Sequence, residues 1–258
     1  MAEKARFTCT LAQDSDDLRA AQRLRYAVFV AERGGDGPGV DHAQRLETQP
    51  CDPFADHLLL RDEKRSGDDA VVAVYRLMSR GQAARAGAFS SAHEFRLDEF
   101  AGAAKEPLEL SRACIRREYR GGITLGLMWQ ALGDLIAARG VDRIFGVASF
   151  YGPDPLAHAP AIAHLSERFA APEHWGLVCR EPLALPRTAP LDAKSALKGV
   201  PPLILSYLRL GGRVGRGAYR DAAFGTVDLC MALEVAAIPA AARRRLQGAL
   251  LRGREGKA

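Results

Sequence analysis

The feature that most constrains the fold is the stretch 106–127, EPLELSRACIRREYRGGITLGL. An apolar run typical of a buried strand breaks at Gly121-Gly122 and passes directly into a segment with helical periodicity. A strand, a glycine break and a helix N-terminus place unpaired backbone N–H groups where an anionic group can bind. The strand also carries Glu109 and Arg112, and a charged pair is costly to bury. We therefore expect a group transferase that handles a phosphate-bearing donor.

The composition indicates an ordinary globular chain. Of its 258 residues, 48% are hydrophobic and 26% are charged. No run of eighteen or more apolar residues predicts a membrane span, and the N-terminus does not resemble a signal peptide. The five cysteines lack the spacing of a zinc site and favour a reducing compartment. We expect a cytoplasmic protein without a metal site.

The charge balance predicts an acidic partner. The formal net charge is +5, which suits nucleic acid, anionic lipid or an acidic carrier protein. Nucleic acid is the least supported, because the basic residues do not alternate with aromatic ones. The tail 236–258 reads as a basic amphipathic helix beyond a single domain over 1–235. That tail either contacts an anionic membrane or is a solvated terminus.

Strands and helices alternate along the chain, which predicts a mixed α/β fold around one sheet. Long loops are expected over 33–54 and 79–93. The predicted strands cover 5–11, 56–62, 70–78, 108–115, 141–151, 175–185 and one or two segments within 212–235. The predicted helices cover 14–33, 94–102, 125–140, 153–170 and 201–212.

Two constellations in the first third of the chain have both a functional and a structural interpretation. Arg25 and Phe29 lie one helical turn apart, and the spacing alone favours a packed Phe29 with Arg25 reaching solvent. Asp52 and Asp56 stand at the mouth of a predicted strand. Together they can hold an ammonium group, or they can form a turn and solvate the strand end.

A third constellation lies on two apolar strands. Arg76 needs a partner if it is buried, and Glu109 or a carboxylate near it is the candidate if the two strands are neighbours. Alternatively, Arg76 lies at a strand edge and reaches water. In a regular strand Glu109 and Ser111 share one face and Arg112 points to the other. A bulge at Ser111 or Arg112 would bring all three together. Glu109 is then either a general base or half of a structural ion pair.

A resemblance ties these segments together. LRYAVFVAER, CDPFADHLLL, VVAVYRLM, ELSRACI with REYRGG, and PPLILSYLRLGG follow one another between about residues 20 and 235. In order and spacing they resemble the bacterial ornithine-lipid acyltransferases, which are similar to acyl-homoserine-lactone synthases. The resemblance implies a GNAT-like fold with a mixed, mostly antiparallel sheet flanked by helices. It also implies transfer of a 3-hydroxyacyl chain from acyl carrier protein to the α-amine of L-ornithine, giving lyso-ornithine lipid.

The resemblance also implies roles for individual residues. It makes Glu109 the general base, with Ser111 and Arg112 beside it in the catalytic group. Phosphopantetheine binding falls on Arg120, Gly121 and Gly122. Substrate binding falls on the residues of the earlier motifs, which are Arg25, Phe29, Asp52, Asp56 and Arg76. No tightly bound cofactor is expected, since the acyl-phosphopantetheine of the carrier protein is itself a substrate.

One departure from the GNAT pattern bears on the donor. The usual phosphate loop reads R/Q-x-x-G-x-G/A, whereas this chain reads RGGITL from Arg120, with Ile123 and Leu125 in place of small residues. Such a loop cradles the pyrophosphate of coenzyme A less well, while a carrier protein presents a single phosphodiester and an acidic surface. The alternatives are an autoinducer synthase, a coenzyme A-dependent N-acyltransferase and a non-catalytic module at anionic membranes. A lipid product also suggests transient contact with the inner face of the membrane.

Overall fold

An eight-stranded sheet runs through the centre of the computed structural model, which describes residues 6–121, 123–152, 154–186, 193–244 and 246. The strands are β1 (Phe7–Leu11), β2 (Val40–Asp41), β3 (Leu46–Glu47), β4 (Asp56–Asp62), β5 (Val71–Ser79), β6 (Phe95–Arg96), β7 (Pro107–Ile115), β8 (Arg143–Tyr151), β9 (Val178–Cys179), β10 (Arg213–Val214), β11 (Tyr219–Asp221) and β12 (Thr226–Glu234). The helices are α1 (Ser15–Arg25), α2 (Arg80–Ala86), α3 (Asp98–Gly102), α4 (Thr124–Arg139), α5 (Ala159–Arg168), α6 (Ala193–Leu197) and α7 (Pro202–Arg209).

The main sheet has the order β1-β4-β5-β7-β8-β12-β10, and β11 pairs with β12. Each neighbouring pair in it is antiparallel except β7 and β8, which are parallel. Two short antiparallel pairs lie outside it: the hairpin β2-β3 and the pair β6-β9, whose strands are distant in the sequence. The expected mixed, mostly antiparallel sheet is confirmed.

Helices cover both faces of this sheet. On one face, Met128, Leu132 and Ile136 of α4 pack with Tyr207 of α7 in the largest apolar cluster. On the other, Ala20, Ala21 and Leu24 of α1 pack on β4 and β5. The spacing of α1's apolar residues puts them on one face, and the Asp14 carboxylate caps the helix by accepting from the N–H groups of Asp16 and Asp17.

Three of the predicted irregular or extended segments are different in the structure. Helix α2 occupies part of the expected loop over 79–93, because Ser79 and Gln82 form a capping box that starts it. Within the strand expected over 175–185, only Val178–Cys179 is extended and paired. The expected loop over 33–54 contains the hairpin β2-β3 and a 3-10 turn at Asp52–Phe54.

The C-terminal segment begins on the main core. Ile238 is buried, Ala242 and Leu246 pack against the same apolar cluster, and Leu246 lies against Gly133 of α4. The rest of the tail, 247–258, lies outside the described residues. No helix in the described ranges is long and apolar enough to cross a membrane.

The parallel pair β7-β8 is joined over only part of its length. Backbone pairing covers Pro107, Leu108 and Glu109 of β7, opposite Arg143, Ile144 and Phe145 of β8. Beyond that point β7 continues along β5 and β8 continues along β12, so the two strands part. A Cβ on Gly146 would lie 1.9 Å from the Leu110 carbonyl oxygen, so the close approach at the point of parting requires glycine.

Candidate active site

The gap between β7 and β8 opens into a cavity of about 270 Å³. One wall is the second half of β7, from Ser111 to Ile115, and the opposite wall is β8 from Val147 to Tyr151. Leu125 and Met128 of α4 form an apolar side, whereas Trp129 and Phe150 belong to the buried core. This volume is far larger than the space that one ordered water needs, so the cavity can accommodate part of an extended ligand.

A β-bulge shapes the β7 wall. Between the pairs Val74–Cys114 and Arg76–Ser111, β7 has two residues where β5 has one. Arg112 is one of the two and adopts a left-handed backbone with φ of 51°. Because of this bulge both Ser111 and Arg112 reach the cavity wall, as the predicted bulge would require.

Arg25 is fully buried and does not reach solvent. Its guanidinium donates to both Asp52 carboxylate oxygens at 2.9 and 2.8 Å, and it also pairs with Glu47. Burial works against the charge of Arg25, but Glu47 and Asp52 outweigh it and raise the pKa of the guanidinium. The packing interpretation of Arg25 is therefore wrong about its exposure, because the spacing could not show the two buried carboxylates.

Arg76 belongs to the same buried cluster. Its Nη1 donates to Asp52 at 2.9 Å and its Nε donates to the Ser111 hydroxyl at 3.0 Å, so its carboxylate partner is Asp52 and not Glu109. Burial raises the pKa of Asp52, but Arg25 and Arg76 lower it more strongly, so the pKa lies well below its usual range. Burial lowers the pKa of Arg76, and the nearby charges of Arg112 and Arg25 lower it further.

Glu47 extends this cluster to the cavity. Its Oε1 accepts from Arg112 Nε at 3.3 Å, and the Arg112 guanidinium also lies 5.3 Å from the centre of the Phe224 ring. Phe29 packs edge-on against the same ring and lines the cavity. The cluster therefore positions Arg112 in the cavity wall through Glu47. No pattern in the sequence indicated this role of Glu47.

Glu109 is fully buried and saturated with hydrogen bonds. Its Oε2 accepts from the N–H and hydroxyl of Ser90 at 2.9 and 3.0 Å, and its Oε1 accepts from the N–H of Ser91 at 2.7 Å and from the Ser91 hydroxyl. Ser90 and Ser91 begin a 3-10 turn and line the cavity. Glu109 thus reaches the cavity through two serines, which lie in the segment expected to be a loop.

Asp52 and Asp56 do not meet. Asp52 is neutralised by Arg25 and Arg76, whereas the Asp56 carboxylate accepts from Arg139 at 2.6 Å at the start of β4. Neither carboxylate is among the described residues that line the cavity. Their joint role in holding a cationic amino acid stays a prediction that this arrangement does not favour.

The predicted phosphate turn lies at the edge of the cavity. Gly121 has a φ of 76° and, with Arg120, lines the opening just before α4, while Gly122 lies outside the described residues. The Arg120 guanidinium is bound by Glu32, with Nη2 2.8 Å from Oε2, and its Nε donates to the Ile115 carbonyl. Backbone groups of the turn are therefore better placed than the Arg120 side chain to meet a phosphate.

Three further acidic residues line the cavity, Glu94, Asp221 and Asp228, and the sequence patterns did not single them out. Glu94 follows the 3-10 turn of Ser90, and Asp228 lies in β12. Burial, followed by the charge of Glu94, raises the pKa of Asp228 to about 7. An aspartate inside the apolar run TVDLCMALE was the available signal, since such residues are rarely buried without a purpose.

Known sequences match the chain over most of its length. A family model described as an acetyltransferase (GNAT) domain matches residues 24–130. An L-ornithine N(alpha)-acyltransferase of Rhodobacter capsulatus is 41% identical over 250 residues, which cover 94% of this chain and 96% of that one. A Rhizobium meliloti protein of the same name is 35% identical over 91% of this chain and 82% of its own.

Solved structures share the fold at low sequence identity. The acyl-homoserine-lactone synthase LasI has a TM-score of 0.50 and 15% identity, covering 94% of this chain and 95% of its own. FeeM, an N-acyl amino acid synthase from uncultured soil microbes, has a TM-score of 0.50 and 12% identity over 90% and 92% of the two chains. These similarities support the GNAT-like architecture.

Proposed function

The chain belongs to the L-ornithine N(alpha)-acyltransferase family of GNAT-fold proteins, and we propose that it transfers a 3-hydroxyacyl chain from acyl carrier protein to the α-amine of L-ornithine. The product is lyso-ornithine lipid. The observation that carries the proposal is the cavity in the gap between β7 and β8, which joins an apolar side, a glycine turn and a set of buried acidic groups.

The donor is proposed to enter along β7. Beyond Glu109, β7 has no backbone pairing to β8, so amide groups on that side of the strand are free to bond the amides of a phosphopantetheine arm. The arm's phosphodiester would then lie at the Arg120–Gly121 turn, before the N-terminus of α4. The acyl chain would lie on the apolar side formed by Leu125 and Met128.

The acceptor amine is proposed to lose its proton through a serine to Glu109. A Ser90 or Ser91 hydroxyl accepts the proton of the attacking amine while it donates its own to the Glu109 carboxylate, to which both hydroxyls are already bonded. The nitrogen then forms the amide bond as the thioester C–S bond breaks and the thiolate takes up the released proton. Arg112, held by Glu47, supplies a cation for the α-carboxylate of the amino acid.

An assay of the product tests this function. The protein is incubated with 3-hydroxyacyl carrier protein or with the matching coenzyme A thioester, and with L-ornithine, L-lysine, L-glutamine or S-adenosylmethionine. We expect acyl-ornithine, identified by mass, with the carrier protein as the better donor. Homoserine lactone with methylthioadenosine would make the chain an autoinducer synthase, and equal use of the coenzyme A thioester would remove the carrier protein from the proposal.

The place of the reaction is a separate part of the proposal. A lysolipid product has to enter a membrane, so we place the enzyme in the cytoplasm with transient contact at the inner face of the membrane. Flotation with anionic and with neutral liposomes tests the contact. Binding to anionic vesicles without acyl transfer from any donor would instead favour a non-catalytic membrane module.

A further inference from the structure

Two buried carboxylates in the cavity wall take no part in the arginine cluster. Glu94 is 6% exposed at the end of the 3-10 turn, and Asp228 is 4% exposed in β12. The 3-10 turn contacts β11, the strand next to this part of β12, because the His93 ring packs edge-on against Tyr219, which pairs with Asp228 in the sheet. The two acidic groups therefore face the same part of the cavity.

Each carboxylate has one oxygen that no donor satisfies. Oε2 of Glu94 and Oδ1 of Asp228 are out of contact with solvent and have no hydrogen-bond partner in the described part of the chain. The other Glu94 oxygen lies 3.1 Å from His93 Nε2, and Asp228 is bonded by Ser149 and Thr226. Buried carboxylate oxygens without donors are rare and costly, so these two oxygens are suited to a donor that a ligand brings.

The three arginines of the described cavity wall contact groups other than Glu94 and Asp228. Arg112 pairs with Glu47, Arg120 pairs with Glu32, and the Arg33 guanidinium lies 3.5 Å from the centre of the Tyr151 ring. A third acidic residue of the wall differs from the pair, because its oxygen is used: Asp221 Oδ1 accepts from the N–H groups of Ala223 and Phe224 at 2.9 and 3.0 Å.

We infer that Glu94 and Asp228 together bind the side-chain ammonium of the amino-acid acceptor. The inference rests on the proposed function and names the residues that select its substrate. A primary ammonium brings three N–H donors and one positive charge, which are what two buried carboxylates with free oxygens lack. The pair thereby distinguishes diamino acids from acceptors with an apolar side chain of the same length, which leave both oxygens without a donor.

A substrate pair that differs only in this ammonium tests the inference. L-Norvaline has the carbon chain of ornithine without the terminal amine, so the ratio of kcat/KM for ornithine to that for norvaline measures the contribution of the ammonium. Glu94→Gln and Asp228→Asn should each lower this ratio by about tenfold or more, as expected for the loss of one charged hydrogen bond. Asp221→Asn is the matched control, in the same wall, and should change the ratio by less than about twofold.

A change in the length of the carboxylate adds an independent test. Asp228→Glu moves the charge one methylene further into the cavity, so its preference should shift from ornithine toward 2,4-diaminobutyrate, which is one methylene shorter. Circular dichroism verifies that each variant is folded. Calorimetric titration with ornithine and norvaline then measures binding without turnover, in the presence of the acyl carrier protein.

Each outcome decides the inference. An unchanged ratio in both neutral variants would mean that water or a shared proton satisfies the free oxygens, and it would overturn the inference. Equal losses for ornithine and norvaline would assign the pair to the fold or to the chemistry, which also overturns it. If the wild type acylates no amino acid, the proposed function fails by itself, and the difference in calorimetric affinity between ornithine and norvaline decides the inference alone.

Discussion

Arg25 and Asp52 form a two-pronged ion pair, with N–O distances of 2.9 and 2.8 Å, out of contact with water. It joins the C-terminal end of α1 to the 3-10 turn before β4. Glu47 and Arg76 complete the cluster, so buried charges hold together four segments that are distant in the sequence.

Removal of one charge from this cluster should destabilise the protein strongly. Asp52→Asn leaves the Arg25 and Arg76 guanidinium groups buried with one carboxylate fewer, and we expect a loss of about 3–5 kcal/mol in the free energy of unfolding. Urea denaturation measures it. The control is Asp56→Asn, whose partly exposed pair with Arg139 should contribute about 1 kcal/mol or less. Similar losses in the two variants would contradict the structural role of the cluster.

Glu109→Gln should slow turnover. The amide cannot take a proton from Ser90 or Ser91, and general-base assistance is typically worth about 10²–10⁴ in rate. We expect kcat with carrier-protein donor to fall by at least about 10², while calorimetric affinity for ornithine stays within a few fold. Glu106→Gln, at an exposed carboxylate just before β7, is the matched control. A Glu109→Gln enzyme with full activity would remove Glu109 from the mechanism.

Gly146→Ala should disrupt the point where β7 and β8 part. The added Cβ would lie 1.9 Å from the Leu110 carbonyl oxygen, so the strands must move, and overpacking of this kind costs about 1–3 kcal/mol or more. We also expect weaker binding of the donor, measured as a higher KM for acyl carrier protein. Gly126→Ala in the exposed first turn of α4 meets open space and should stabilise by up to about 1 kcal/mol. If Gly146→Ala changed neither the stability nor the KM, the two strands would not approach each other closely at Gly146.

The stability of the protein should depend on pH through Asp228. Burial, then the charges of Glu94 and Asp221, raise the pKa of Asp228 to about 7, from about 4 in the unfolded chain. The folded state therefore holds this proton more tightly, and the stabilisation present below pH about 4 is lost as the pH rises through about 7. Asp228→Asn does not titrate, so its free energy of unfolding relative to wild type should increase between these pH values.

Urea denaturation at intervals across this pH range makes the comparison. Ser149→Ala is the companion variant, because it removes a hydrogen bond that favours the Asp228 carboxylate and should move the transition to higher pH. A constant difference between Asp228→Asn and wild type at every pH would contradict the raised pKa.

The strands and helices with strong periodic patterns could be predicted from the sequence, because their apolar residues specify a buried face. Helix α2 could not be predicted, because its start depends on a single capping box within a polar stretch. The Ser79 and Gln82 spacing was present, but glycine and serine residues around it equally predict a loop. Local signals of this kind are resolved only by the surrounding packing.

The candidate site shows a different limit. The strand that carries Glu109 and Arg112 and the need for a bulge were predictable, because period-two geometry separates their side chains. The partners were not: Glu47 comes from a hairpin inside an apparent loop, and Asp52 rather than Asp56 turns inward. Choosing between two carboxylates four positions apart requires the three-dimensional position of the arginines.

The limited joint between β7 and β8 has a mechanical consequence. The sheet consists of two halves, β1-β4-β5-β7 and β8-β12-β10, connected at its centre by three residue pairs at one end of a long gap. A rotation about these three pairs would change the width of the gap most at its far end. The width of the gap that is open to a ligand therefore depends on the backbone pairing of Pro107–Glu109, although Pro107 and Leu108 do not line the cavity.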